Sequence, residues 1–168
     1  DPGLFGSDGR RWAKITLHER MPSPVYEEPL RRLLGLTEKK FLEVVAGREK
    51  LGNDTGPEAL YHAASNINVD DEINKAENAF KGTRKGARDE AARKLGYLYT
   101  LRRLKMSPKD WFLDAVPVLP ATFRPVSKTM KGGMLVADAN HLYKEIHDAN
   151  GALKDLSGKV DDVSEERA

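Results

Sequence analysis

The sequence predicts a mainly α-helical fold with a few short strands, and three patterns support this prediction. Apolar residues lie at steps of four, three and four over 69–80, which is one face of an amphipathic helix. A second apolar series covers 91–104 after the short break "KGTRKG" at 81–86, so the two helices should pack as an antiparallel hairpin. A third series over 139–156 has the spacing of a coiled-coil arm.

The coiled-coil arm is predicted to begin at Asp138, which we expect to cap it, and to end at Gly158. Its apolar stripe alternates steps of three and four residues and consists of Ala139, Leu142, Ile146, Ala149, Leu153 and Leu156. Such a stripe normally packs against a facing helix. Ser164 is a candidate N-cap only four residues before the last residue, Ala168. We therefore expect the facing helix to lie in a continuation of the chain, after an acidic turn.

The segment "DAVPVLPATFRP", residues 114–125, separates the helical regions and contains three prolines. Proline cannot donate to a helix or to a central strand, so we expect a stiff extended rod or an edge strand, and no helix. Trp111 and Phe112 precede the rod and are predicted core anchors. The stretch "VSKTMKGGMLVAD", residues 126–138, has paired glycines and little periodicity, which predicts a flexible loop.

The N-terminal part is predicted to contain a loop over 1–12, a strand at "AKITL" (13–17) and an extended connector over 21–29. Three short helices should follow: one from Glu27 to about Gly35, one capped by Thr37 and closed by Gly47, and one opened by Pro57. The predicted organisation has four parts: an N-terminal loop and strand (1–26), a helical region with the hairpin (27–110), the rod and glycine loop (111–137) and the coiled-coil arm with its tip (138–168).

The composition excludes several classes of function. There are no cysteines, so disulfides and cysteine zinc sites are absent, and a reducing compartment is expected. No apolar run approaches the roughly 20 residues that span a membrane. The sequence contains neither a serine–histidine–aspartate pattern nor a phosphate-binding loop, and its four histidines are scattered, so we predict no catalytic residue and no metal site.

Two basic regions are candidates for contact with nucleic acid. One is the second hairpin helix, whose cations either touch phosphate or form a solvated face paired with Asp71, Glu72 and Glu77; the formal net charge of +2 favours the second interpretation. Its cations are Arg84, Lys85, Arg88, Arg93, Lys94, Arg102 and Arg103. The other region surrounds the paired glycines, which let a strand approach closely, although the residues alone favour an ordinary mobile loop here. It consists of Arg124, Lys128, Lys131, Gly132 and Gly133.

The sequence from Trp111 to Leu156 resembles the largest (beta-prime) subunit of bacterial-type multisubunit RNA polymerase. That family has a tryptophan, a motif V-I/L-P-V-L-P-P-D-L-R-P, a loop with paired glycines, and a D-L-N-x-L-Y helix start followed by N-x-x-L-K-x-L. The matching residues, in this order, are Trp111, Val116 to Pro120, Arg124, Pro125, Gly132, Gly133, Asp138, Asn140, Leu142, Tyr143, Asn150, Leu153, Lys154 and Leu156. Weaker matches are "RRWAKITL" (10–17), "TGPEAL" (55–60) and the basic hairpin (69–105).

The resemblance implies a non-catalytic part of a nucleotidyltransferase that acts in transcription. The region would belong to the clamp, with 126–137 as the lid that contacts the RNA–DNA hybrid, and Arg124 facing the nucleic-acid channel. The helix from Asp138 would be the first arm of the clamp coiled coil, which docks an initiation (sigma) factor through Asn140, Tyr143, Lys144, His147, Asn150 and Lys154. The implied partners are other polymerase subunits, template DNA and the hybrid, in a bacterial cytoplasm or a phage-infected cell. Magnesium is expected only in the intact enzyme, so this fragment would need no cofactor.

Several positions depart from the family pattern. Pro120-Ala121-Thr122 replaces P-P-D, and Ala149 and Ala152 replace arginines that help to hold the initiation factor. Neither the four-cysteine zinc ribbon nor the catalytic N-A-D-F-D-G-D motif occurs, as expected for a divergent fragment such as one from a phage or mobile element. Two alternatives stay open: a stand-alone helical module that binds a transcription factor, and a structural helical protein without a nucleic-acid role.

Overall fold

The computed structural model describes residues 11–130, 132–157, 159 and 167. Within them it contains six α-helices and three two-stranded sheets, so the predicted fold class is confirmed. The helices are α1 (Glu27–Leu33), α2 (Glu38–Val45), α3 (Gly56–Ser65), α4 (Val69–Phe80), α5 (Lys85–Leu104) and α6 (Asp138–Leu156). The strands are β1 (Ala13–Pro22), β2 (Lys50–Leu51), β3 (Asp54–Thr55), β4 (Phe112–Val118), β5 (Val126–Lys128) and β6 (Met134–Val136). The pairs are β1 with β4, β2 with β3 and β5 with β6.

The chain divides into two compact units. The helical unit covers residues 21–113 and contains α1 to α5. The second unit combines residues 11–20 with the described residues from 114 onward, and contains most of β1 and β4, the β5–β6 pair and α6. Each unit is therefore built around its own buried residues.

The predicted boundaries of the first helices are confirmed. The backbone N–H of Lys40 donates to the Thr37 hydroxyl oxygen at 3.3 Å, which caps α2. Gly35 and Gly47 have φ of +67° and +83°, the left-handed conformation that closes α1 and α2. Pro57 lies in the first turn of α3.

Helices α4 and α5 form the predicted antiparallel hairpin. The Tyr99 hydroxyl donates to the Glu77 carboxylate at 2.7 Å, while Arg102 lies 4.0 Å from Asp70. Because the contacts move backward along α5 as they move forward along α4, the two helices run in opposite directions. The hydrogen bond to the Glu77 carboxylate raises the pKa of the Tyr99 hydroxyl, because it favours the protonated donor.

The core of the helical unit collects one apolar face from each helix. Ile73 and Ala76 of α4 and Leu98 and Leu101 of α5 are all buried, as the helical spacing predicts. The other buried members of this cluster are Leu30, Leu33, Phe41, Val44, Val45, Ala59, Leu60, Ala64, Trp111 and Phe112.

Trp111 and Phe112 are core anchors of the helical unit. Trp111 is 6% exposed and stacks on Tyr26 with ring centroids 5.4 Å apart. Phe112 meets the edge of Tyr61 at the same centroid distance of 5.4 Å. The Ser23 backbone N–H donates to the Trp111 carbonyl, which ties the two ends of this unit together.

The proline segment is extended only over part of its predicted length. Strand β4 ends at Val118, and its single partner in the described sheet is β1, which makes it the edge strand that Pro117 requires. The prediction that no helix occurs in 114–125 was wrong, because Ala121–Phe123 forms one 3-10 turn after Pro120. Proline fixes φ near the helical value, so it starts a short turn as readily as it ends a helix.

Three other boundary predictions were also wrong. Strand β1 extends to Pro22 instead of ending at 17, and so includes the start of the expected connector. Val126–Lys128 and Met134–Val136 form the paired strands β5 and β6, where a loop was predicted. Asp138 is the first residue of α6, and Ala137 is its N-cap. The expected loop over 1–10, the helix stop at Gly158 and the N-cap at Ser164 lie outside the described residues.

We predict that Trp111→Ala destabilises the protein by about 3–5 kcal/mol, the usual cost of removing a large buried aromatic side chain. Urea unfolding measures this as a lower midpoint. Trp12→Ala is the matched control, because Trp12 is 64% exposed and its removal should leave the midpoint nearly unchanged. Equal midpoints for both variants would show that Trp111 is not an anchor.

Candidate nucleic-acid interface

The segment that contains the paired glycines, Gly132 and Gly133, is a β-hairpin. Strands β5 and β6 pair antiparallel, with Val126 opposite Val136, Ser127 opposite Leu135 and Lys128 opposite Met134. Side chains alternate between the two faces of a strand, so Lys128 and Met134 share one face while Ser127 and Leu135 share the other. The hairpin therefore presents a cation beside an apolar side chain.

The turn of this hairpin depends on its glycines. Gly132 has φ of +81°, and its N–H donates to the Thr129 carbonyl at 3.0 Å. The N–H and hydroxyl of Thr129 both donate to the Gly133 carbonyl, at 2.8 and 3.1 Å. A side chain at Gly132 would be strained, because residues with a Cβ rarely adopt this conformation.

The hairpin exposes apolar side chains to solvent. Met130 at its turn is fully exposed, and Met134 and Leu135 are 67% and 66% exposed. Lys128 is also exposed. A two-stranded hairpin with so little apolar burial is marginally stable by itself. This exposed group of one cation and several apolar side chains has the composition of a contact surface. Lys131 lies outside the described residues.

Arg124 lies at the base of the hairpin and is buried, with 4% exposure. Its Nε donates to the Leu119 carbonyl at 2.8 Å, and its Nη1 donates to the Asn140 side-chain oxygen at 2.6 Å. Its guanidinium carbon lies 5.7 Å from the centre of the Tyr143 ring, within cation–π range. Arg124 was expected to face the nucleic-acid channel, and in the structure its side chain makes internal contacts. Burying a charge is costly unless it is hydrogen-bonded, and these contacts satisfy that requirement.

Asn140 and Tyr143 complete this arrangement from α6. The Asn140 side-chain amide donates to the Arg124 carbonyl at 3.1 Å, so the two residues exchange hydrogen bonds. The Leu119 backbone N–H donates to the Tyr143 hydroxyl at 3.2 Å. Both side chains were predicted to contact a partner, and the structure instead places them in internal bonds. Their spacing of three residues, which puts both on one helix face, was the available sequence signal.

The remaining candidates on α6 divide between an internal and an outer face. Asn150 bonds β1: it donates to the Thr16 carbonyl at 3.0 Å and accepts from the His18 N–H at 2.6 Å. Lys144, His147 and Lys154 are exposed. At 100° per residue these three lie within about 80° of one another, so they form one outer surface of α6.

The apolar stripe of α6 is only partly open. Leu142 is 59% exposed, but Leu153 is 5% exposed. The expectation that the whole stripe awaits a helix beyond Ala168 was therefore wrong at Leu153. Asn150, one turn before Leu153, binds β1, and this directs that part of the helix toward the strand.

No group of three or more histidine, cysteine or carboxylate side chains that could hold a metal ion occurs within the described residues. In the same part of the chain, no helix combines the length and the apolar character needed to cross a membrane.

Comparison with known proteins supports the resemblance to beta-prime subunits. The chain is 30% identical over 125 residues, 72% of its length, to the DNA-directed RNA polymerase subunit beta' of Lysinibacillus sphaericus. The corresponding subunits of Bacillus licheniformis and Clostridium novyi are 28% and 26% identical over 132 residues. The chain resembles a segment of beta-prime subunits. No family model matches it.

The predicted resemblance to the beta-prime subunit is thus confirmed. The alignments cover only 10–11% of these beta-prime relatives, so the chain corresponds to about a tenth of their length.

We predict that Arg124→Met destabilises the second unit by about 2–4 kcal/mol, because the half-buried Leu119 carbonyl and Asn140 side chain lose a charged donor. Thermal unfolding and amide exchange at Asn140 and Tyr143 measure this. Arg93→Met removes an exposed arginine and should change stability by less than about 0.5 kcal/mol.

A double-mutant cycle with Asn140→Ala tests the pairing directly. The two changes should couple by about 0.5–3 kcal/mol if the side chains share one network. Strict additivity would contradict the proposed network.

Proposed function

We propose that this chain is part of the clamp of a DNA-directed RNA polymerase largest subunit. In this proposal hairpin β5–β6 acts as the lid and contacts the RNA–DNA hybrid, while the outer surface of α6 docks an initiation factor. Other polymerase subunits and template DNA are the further partners. The observation that carries the proposal is the exposed hairpin fixed to a buried arginine base, within a segment that resembles beta-prime subunits.

The chemistry of the hairpin supports a contact with nucleic acid. Lys128 supplies a cation for phosphate, and Met130, Met134 and Leu135 supply apolar surface for base or sugar edges. The glycine turn lets the backbone approach a strand closely. The buried Arg124 holds the base of the hairpin, so the exposed tip is left to make the contact.

Nucleotidyl transfer by an intact RNA polymerase requires residues that do not occur in this sequence. Nucleotidyl transfer in the intact enzyme uses carboxylate-bound magnesium, and the N-A-D-F-D-G-D motif does not occur in the sequence. The fragment contributes positioning of nucleic acid rather than a chemical step.

We predict that Lys128→Gln weakens binding of the 168-residue chain to a short RNA–DNA hybrid several-fold and lowers the slope of log affinity against log salt by about 1. Fluorescence anisotropy across a salt series measures both quantities. Lys14→Gln removes an exposed lysine from the same unit and should leave the binding unchanged. Equal loss with both variants would contradict a role for the hairpin.

We also predict that the chain alone incorporates no nucleotide on a primed template with magnesium. Radiolabelled nucleotide incorporation tests this. Synthesis that co-purifies with the chain and is abolished by one of its carboxylate variants would overturn the non-catalytic assignment.

The second candidate function is a stand-alone module that binds a transcription factor through α6. The exposed set of Lys144, His147 and Lys154 on one helix surface favours this contact. Lys144→Glu with Lys154→Glu should abolish binding of a purified bacterial initiation factor in calorimetry, while Lys39→Glu with Lys109→Glu should preserve it. Factor binding without any hybrid binding would favour the module over the polymerase fragment.

A further inference from the structure

The sulfur atoms of this chain differ widely in their exposure to solvent. The sequence contains four methionines and no cysteine, so thioethers are its only sulfur groups. Met130 is fully exposed at the turn of hairpin β5–β6, and Met134 on β6 is 67% exposed. Met21 and Met106 are partly buried and pack against the core of the helical unit. The two most accessible thioethers therefore lie on one hairpin.

An exposed thioether can be oxidised by a peroxide. A lone pair of the methionine Sδ attacks one peroxide oxygen and the O–O bond breaks. The transferred oxygen stays on sulfur as a sulfoxide, while the departing hydroxide takes its proton and leaves as water. Sulfur loses two electrons and the peroxide gains two, so hydrogen peroxide is the only co-reactant required. Because the peroxide must reach the sulfur atom, exposed methionines should react before packed ones.

The backbone of the hairpin does not depend on its sulfur atoms. The turn is held by the Gly132 N–H on the Thr129 carbonyl and by two donors of Thr129 on the Gly133 carbonyl. Met130 and Met134 are both exposed, so turning them into polar sulfoxides changes the surface and leaves the fold intact. The hairpin can therefore carry this modification while it stays folded.

The position of Met134 connects its oxidation to the cation of the hairpin. Met134 lies directly opposite Lys128 in the strand register. The two residues of such a pair have Cβ atoms about 4.5–5.5 Å apart on the same face. A thioether is a weak hydrogen-bond acceptor, whereas a sulfoxide oxygen is a strong one. Oxidation of Met134 therefore gives the Lys128 ammonium an internal acceptor that competes with an external phosphate.

We propose that hairpin β5–β6 is a methionine-oxidation site, at which peroxide converts Met130 and Met134 to sulfoxides before Met21 and Met106 and thereby weakens the contact of the hairpin with nucleic acid. The order of oxidation depends on exposure alone. The effect on binding rests on the proposed lid function, because the sulfoxides alter the apolar surface and the cation that the lid would use. The change is reversible, since a sulfoxide reductase and a dithiol return the thioether and yield a disulfide and water.

The first measurement is the oxidation rate at each methionine. The folded 168-residue chain is treated with dilute hydrogen peroxide, quenched at intervals, digested and analysed by mass spectrometry. Met130 and Met134 should react at least about fivefold faster than Met21 and Met106. The guanidinium-unfolded chain is the control, in which the four rates should converge. Equal rates in the folded chain, or a faster reaction at Met21 or Met106, would overturn the oxidation site.

The second measurement compares hybrid affinity before and after oxidation. Oxidation of the two hairpin methionines should weaken anisotropy-measured binding to a short RNA–DNA hybrid several-fold, and both stereospecific sulfoxide reductases with dithiothreitol should restore it. The variant Met130→Leu, Met134→Leu retains apolar side chains of similar volume, so peroxide should not alter its affinity, whatever the starting value. The matched control, Met21→Leu with Met106→Leu, should lose affinity on oxidation as the original chain does.

A variant at Lys128 tests the link between Met134 and the cation. In Lys128→Gln, oxidation should cause a smaller fractional loss of affinity, because the ammonium that the sulfoxide would bind is already absent. An equal fractional loss would contradict the internal hydrogen bond. Circular dichroism and the urea midpoint should be the same before and after oxidation of the hairpin, which excludes unfolding as the cause.

The remaining outcomes separate this proposal from the lid function. Unchanged hybrid affinity after complete oxidation of Met130 and Met134 would overturn the effect on binding. If the unoxidised chain does not bind the hybrid, the lid function is wrong and the effect on binding is wrong with it. The rate measurement still decides the oxidation site in that case, because it requires no nucleic acid.

Discussion

The second unit is organised around a buried guanidinium. Arg124 connects the end of the proline segment to the first turn of α6, because its donors reach both the Leu119 carbonyl and the Asn140 side chain. The 3-10 turn at Ala121–Phe123 brings the arginine back toward Leu119, and Pro120 helps to set the conformation of that turn. The hairpin begins two residues after Arg124 and α6 begins two residues after the hairpin ends. The direction in which the exposed hairpin leaves the unit thus depends on one satisfied buried charge.

This arrangement combines a fixed base with an open tip. At the base, Arg124 and Asn140 exchange hydrogen bonds and the Tyr143 hydroxyl accepts one from the Leu119 N–H, all among buried or half-buried groups, where such bonds are costly to break. At the tip, Met130 and Met134 pack against little and Gly132 supplies the left-handed turn. A contact surface of this kind is positioned by its base and leaves its apolar side chains for another molecule. In the proposed lid function, the base positions the hairpin and the exposed tip contacts the nucleic acid.

Overall charge conceals how the charges are distributed. The sum over the chain is close to zero, and that sum favoured a solvated, internally paired helix at α5. In the folded hairpin, Glu72 pairs within α4 and Glu77 is taken by a tyrosine rather than by an arginine. Arg102 of α5 lies 4.0 Å from Asp70, but Lys85, Arg88, Arg93 and Arg103 form no salt bridge in the described part of the chain. Ion pairing depends on distances of a few ångströms, which net charge and sequence spacing do not supply.

Helical periodicity, proline and glycine by themselves determined the fold class, the antiparallel hairpin, the caps at Thr37, Gly35 and Gly47, and the core position of Trp111. These features depend on local backbone preferences and on one buried face per helix, which repeat at short range along the chain. The order of matching residues also identified the resemblance to beta-prime subunits. Only the tertiary structure decided that Arg124 and Asn140 bond each other, that Asn150 binds β1, and that Val126–Lys128 pairs with Met134–Val136. Each of these depends on groups distant along the chain or on a weak local pattern, so their partners are defined only when the chain has folded.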